Sequence, residues 1–176
     1  MKRIEKGKAL PFILTGLIIL ADQAVKSFIA TKWPQNTFIK DVFNNDLLHI
    51  YHVRNKAIAF SLGHNFPDAI RPALFIVLPI LVLGFLLWYY LKSNEFSGIQ
   101  RWAVAGIIGG GTGNIIDRIF RPEGVVDFIS VKFFGIFGME RWPTFNIADS
   151  SVVICCIILV VSMMLRPQRQ EKQAES

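Results

Sequence analysis

Four stretches of this chain stay apolar for about the 20 residues that a helix needs to cross a bilayer. They lie at about residues 10–30, 72–91, 102–120 and 145–165. Inside a bilayer every backbone N–H and C=O must be satisfied internally, and a helix does this alone. Charged residues make up 18% of the chain, below the roughly 25% of soluble domains. The expected fold class is therefore membrane all-α: a four-transmembrane-helix bundle, as a single domain over residues 1–176. The first stretch also has the form of a signal-peptide core, from Ala9 to Ala21. Asp22 and Lys26 follow at i, i+4 and can pair on one helix face, which favours a retained span.

Short loops set the orientation. Lys2, Arg3, Lys6 and Lys8 precede the first span, Lys92 and Arg101 flank the second connection, and Arg166, Arg169 and Lys172 follow the last. An even number of spans puts these on one side, which the positive-inside rule makes the cytoplasm. That placement, and not nucleic acid, explains the sequence pI near 9.6. Trp88, Tyr89 and Tyr90 close the second span as an interfacial belt would. The outer side then holds two longer connections, residues 31–71 and 121–144. Apolar alternation over 38–43 and 47–53, around Asn44-Asn45-Asp46, predicts a small extracytoplasmic β-sheet on the membrane surface.

Carboxylates and amides in such spans are costly and mark functional sites by default. Asp22, Gln23 and Lys26 fall in the outer third of span one. Asn114, Asp117 and Arg118 fall at i, i+3, i+4 near the outer end of span three. Asn146 and Asp149 open span four, and Asp127 lies in the connection before it. The topology brings all of them to one face. Gly106/Gly110 and Gly109/Gly113 give two Gly-x-x-x-Gly spacings that let helices approach closely. Two carboxylates that meet near water share a proton, because close like charges cannot both ionise. The ionised one takes a proton from attacking water while the other polarises a carbonyl, which hydrolyses an amide. No Gly-x-Ser-x-Gly or His-Glu-x-x-His offers another nucleophile or a metal. His49, His52 and His64 form no ligand set, and the adjacent Cys155 and Cys156 read as packing residues. Buried Asp, Asn and Lys also suit a proton relay or transporter, and a non-catalytic assembly subunit would carry no chemistry at all.

Taken in order, the motifs resemble the lipoprotein signal peptidases, signal peptidase II. The matching residues are Asp22-Gln23-x-x-Lys26, Asn55 with Ala59-Phe60-Ser61, Gly113-Asn114-x-x-Asp117-Arg118, Val125-Val126-Asp127-Phe128 and Phe145-Asn146-x-Ala148-Asp149-Ser150. They span nearly the whole chain. The resemblance implies an inner-membrane aspartic endopeptidase that cuts before a diacylglyceryl-bearing cysteine of prolipoproteins. It implies Asp127 and Asp149 as catalytic, and Asn55, Asn114, Arg118 and Asn146 as supporting or substrate-binding. Asp22, Lys26 and Asp117 match structural polar residues. No metal or other cofactor is implied, nor nucleic acid. The partners are the lipid-modified substrates and membrane lipid, and a monomer is expected because one chain carries both aspartates. Trp33, Phe43, Phe60, Phe133 and Trp142 are candidates for contact with lipid. One stretch departs: where the family reads Asn-Thr-Gly-Ala-Ala-Phe-Ser, this chain has Asn55-Lys56-Ala57-Ile58-Ala59-Phe60-Ser61.

Overall fold

A computed structural model of the chain describes residues 6–56, 67 and 70–165. Ala57 to Ser61, His64 and the basic residues of the extreme head and tail lie outside the described residues. A short turn of helix, α1 (Lys6–Ala9), leads into α2 (Phe12–Lys32). Then follow α3 (Leu78–Lys92), α4 (Gly98–Phe120) and α5 (Ile147–Met164). Three segments, Gly7–Lys32, Ala73–Lys92 and Ile147–Met164, are long and apolar enough to cross a membrane.

The remaining long helix, α4, is the bundle's centre. At about 1.5 Å per residue it is as long as the others, but its neighbours shield it from lipid, so it tolerates glycine and polar residues. It packs against α2, α3 and α5. Its glycines are where the backbones meet. A Cβ at Gly106 would collide with the Cys155 sulfur, and one at Gly110 with the Ala148 carbonyl oxygen. At Gly109 a Cβ would come within 3.1 Å of the Thr15 backbone on α2. One spacing thus seats α5 and the other seats α2, as small-residue packing requires.

Several boundaries differ from expectation. α4 starts at Gly98, a turn before the expected Trp102, because Ser97 and Gln100 form a capping box. α5 starts at Ile147, after the expected Phe145, because Phe145 pairs with Ile129 beyond the helix. The segment Ala73–Val77 ahead of α3 is a π-turn. Pro79 has no N–H for the carbonyl four residues back, and the chain widens there. Tyr90 does not join the lipid belt with Trp88 and Tyr89. It is buried, and its hydroxyl donates to the Lys8 carbonyl at 2.8 Å. Successive residues point about 100° apart on a helix, so three in a row cannot all face lipid.

Three antiparallel strands form one sheet in the order β1 (Thr37–Asp41), β2 (Leu48–Asn55), β3 (Val125–Val131). The first two match the expected hairpin. The third was expected to be loop; its β-branched residues pair with β2 instead. One face packs on the helix ends, with Val126 and Phe128 against Val25 and Ile29 of α2 and Ile147 of α5.

Candidate active site

Two polar clusters form where α2, α4 and α5 meet the sheet. The deeper one is built on charge. Lys26 lies 2.7 Å from Asp22 and 3.1 Å from Asp117, and all three side chains are fully buried. Asp117 also pairs with Arg121 and accepts from Gln23 at 2.9 Å and from the Val126 N–H at 3.1 Å. Asp22 accepts from the Ala148 N–H at 3.0 Å. These bonds tie α2, α4, α5 and β3 together. The expected Asp22–Lys26 pair is present. The partner of Asp117 on its own helix is Arg121, one turn on and not Arg118, and its other nitrogen donates to the Ser27 hydroxyl at 3.0 Å. The spacing of Asp117 and Arg121 was itself a readable signal.

The second cluster is built on amides. Asp127 sits mid-way along β3, opposite Val53. The pairing slips by one residue between Ile50 and Val53. An unbroken register from Ile50 would turn Asn55 to the other face; the bulge brings it to the face Asp127 occupies. Asn55 donates to Asp127 Oδ2 at 2.9 Å, and Asn146 donates to Oδ1 at 2.7 Å. Asp149 is the third residue of α5, where it completes a capping box with Asn146. Its Oδ2 accepts from the Asn146 N–H at 3.1 Å and its Oδ1 from Asn114 at 2.7 Å. The four carboxylate oxygens therefore each hold one amide donor, and Asn146 touches both aspartates.

The orientation of each amide has a cause. The Asn146 side-chain oxygen caps α5, accepting from the Asp149 N–H at 2.9 Å. Its NH2 group must then turn to Asp127. The Asn114 oxygen accepts from Lys26 at 3.0 Å, so its NH2 group turns to Asp149. Lys26 is thus the link between the clusters.

Neither Asp127 nor Asp149 makes an ion pair among the described residues, whereas Asp22 and Asp117 do. Asp127 is 1% exposed. Burial, and next the negative charge of Asp149, push its carboxyl up to about 7 against the hydrogen bonds from Asn55 and Asn146. Arg118 feels the charges of Asp149, Asp127 and Asp117. It also lines a cavity of about 290 Å³ with Asn55, Lys56, Arg71, Phe75 and Arg121. Asn55 belongs to both cavity and cluster, so the cavity opens beside Asp127. His49 faces Asp46 at 3.0 Å, and His52 contacts the Trp33 carbonyl at 2.8 Å. Neither joins the cluster.

A pair of aspartates held by amides next to a cavity, where apolar helices meet a sheet, is an arrangement suited to an aspartic peptidase of the membrane. The chain belongs to the signal peptidase II family, whose sequence model, described as signal peptidase (SPase) II, matches residues 14–165. It is 48% identical over 172 residues to the lipoprotein signal peptidase of Treponema denticola, covering 98% of each chain. It is 43% identical to that of Treponema pallidum over 176 residues, all of this chain and 92% of the relative. A solved bacterial membrane enzyme shares the fold with a TM-score of 0.76 at 24% identity, over 93% of this chain and 92% of the other.

Proposed function

We propose that the protein removes signal peptides from prolipoproteins whose cysteine carries diacylglycerol, with Asp127 and Asp149 as the catalytic pair. Cleavage of prolipoprotein signal peptides by an aspartyl peptidase is the activity of its family. The observation that carries the assignment of residues is the difference in partners: these two acids meet amides, while their buried neighbours meet cations.

In this reading Asp127 carries the proton, consistent with a carboxyl pushed up to about 7. Asp149, only half-buried, accepts a proton from water as the water oxygen attacks the scissile carbonyl carbon. Asp127 donates to the carbonyl oxygen. The C–N bond then breaks as the proton held by Asp149 passes to the leaving nitrogen and one hydroxyl of the tetrahedral intermediate returns its proton to Asp127, restoring both acids. Asn55, Asn114 and Asn146 hold the carboxylates in place, and Arg118 faces the cavity where a substrate backbone would lie. Asp22, Lys26 and Asp117 keep the helices in register.

The enzyme would sit in the inner membrane with both termini in the cytoplasm and the dyad near the outer face. Supporting this, the Lys8 ammonium donates to the Leu91 and Ser93 carbonyls at 3.1 and 2.9 Å. Lys8 and the start of the α3–α4 loop therefore share one end of the bundle, and the proposed dyad lies at the other. A thioether-linked diacylglyceryl group held in that leaflet would bring the scissile bond to the dyad's depth.

The test is cleavage of a diacylglyceryl-modified prolipoprotein peptide by the purified protein and by Asp127→Asn and Asp149→Asn. Near-complete loss in both folded variants is expected. Retained cleavage in either would remove that residue from the mechanism.

A further inference from the structure

The end of the sheet at the β1–β2 turn carries aromatic side chains that the chain holds outward at some backbone cost. After β3 the chain turns back on itself, with Lys132 bridged to Arg141. At its tip Phe134 and Phe137 adopt φ of 56° and 51°. Non-glycine residues seldom take this left-handed region, and a bulky side chain there reports a constraint or a function. Phe134 is 68% exposed and Phe137 87%, with Ile136 half-exposed between them. Their neighbour Phe133 folds inward instead, its ring 4.9 Å from that of Trp142.

A second loop meets this tip. The β1–β2 turn presents Phe43 and Leu47, both exposed. Asp46 binds the two loops together, with Lys132 at 2.8 Å and Arg141 at 2.9 Å. The Lys132 N–H donates to the Leu47 carbonyl at 2.9 Å, and its ammonium lies 5.7 Å from the centre of the Phe134 ring. Two distant parts of the chain thus build one braced, aromatic end with cations just behind it.

We infer that this end is a membrane anchor, which dips into the leaflet on the dyad's side. Aromatic rings backed by lysine and arginine are the pattern of the headgroup level, where rings enter the boundary and long cationic chains reach back to phosphate. The position agrees. The sheet's inner face rests on the ends of α2 and α5, whose outer sides are lined by exposed Leu20, Phe28, Val153 and Ile157. In this inference the aromatic end extends past this support toward lipid. Such an anchor would fix the height of Asp127 on β3 relative to the bilayer. The inference does not depend on the dyad's chemistry.

The test places a nitroxide on Phe134→Cys or Phe137→Cys in the full-length protein carrying Cys156→Ser, in phospholipid vesicles; the remaining Cys155 is buried. Lys40→Cys, on β1 and exposed beside the inward Ile39, is the aqueous control. At positions 134 and 137, collisions with dissolved oxygen are expected to outweigh those with a water-soluble nickel chelate several-fold, and the reverse at 40. Nickel-dominated collisions at 134 and 137 would overturn the inference. So would spin–spin broadening there, which would mean that a second copy of the chain covers this end.

Discussion

Two pairs of aspartates lie within one short region of this molecule and differ in whether a cation holds them. Asp22 and Asp117 are fully buried and gripped by Lys26, with Arg121 on the second. Among the described residues, Asp127 and Asp149 hold only amide donors. A buried carboxylate gripped by a cation is held immobile as a joint between helices. One with neutral partners beside another carboxylate is poised to keep a proton. In the proposed reading, partner chemistry, more than depth, separates the structural acids from the reactive ones.

The largest effect expected on the structural side comes from Lys26→Met. It strands the buried Asp22, leaves Asp117 with Arg121 as its cation and removes the donor to the Asn114 oxygen, so stability should fall by about 3–5 kcal/mol, read by thermal or denaturant unfolding in detergent. A loss under about 1 kcal/mol would mean that the pair does not hold the bundle. On the reactive side, Asn114→Ala removes one donor to a charged group, worth about 1.5–3 kcal/mol. Cleavage should drop by roughly tenfold to a hundredfold while unfolding moves less than in Lys26→Met. Equal damage to fold and activity would erase the distinction between the clusters.

Gly110→Ala probes the seam between α4 and α5, because the new Cβ collides with the Ala148 carbonyl oxygen. A cost of about 1–3 kcal/mol is expected from overpacking, with reduced cleavage as Asp149 moves from Asn114. The smallest effect is in pH. Asp127 has a folded pKa of about 7 against an ordinary 3.8, so the folded state binds the extra proton. Its contribution is present at low pH and lost as pH rises through about 7. Stability should decline by roughly 1 kcal/mol between about pH 6 and 8. Asp127→Asn, which mimics the protonated acid, should abolish that decline.

Much of this was legible in the sequence. The Asp22–Lys26 spacing, the glycine pairs and the convergence of polar residues all follow from helical period and topology, and the β1–β2 hairpin from alternation around Asn44-Asn45-Asp46. Other features were hidden for physical reasons. β3 buries Asp127 and Ser130 among apolar residues on both faces, so no alternation marks it as a strand. The bulge that aims Asn55 depends on pairing between distant segments. The amide orientations of Asn114 and Asn146 depend on Lys26 and on a helix cap, neither of which a linear pattern reveals. Tyr90 was misplaced because composition at a helix end does not say which residue faces inward.

The most direct measurement sets Asp127→Asn beside Asp117→Asn, recording both cleavage per folded molecule and unfolding temperature. Asp127→Asn should lose cleavage without losing stability, and Asp117→Asn should lose stability while its folded fraction still cleaves. Cleavage by Asp127→Asn, or a stable but inactive Asp117→Asn, would contradict the division between the two pairs.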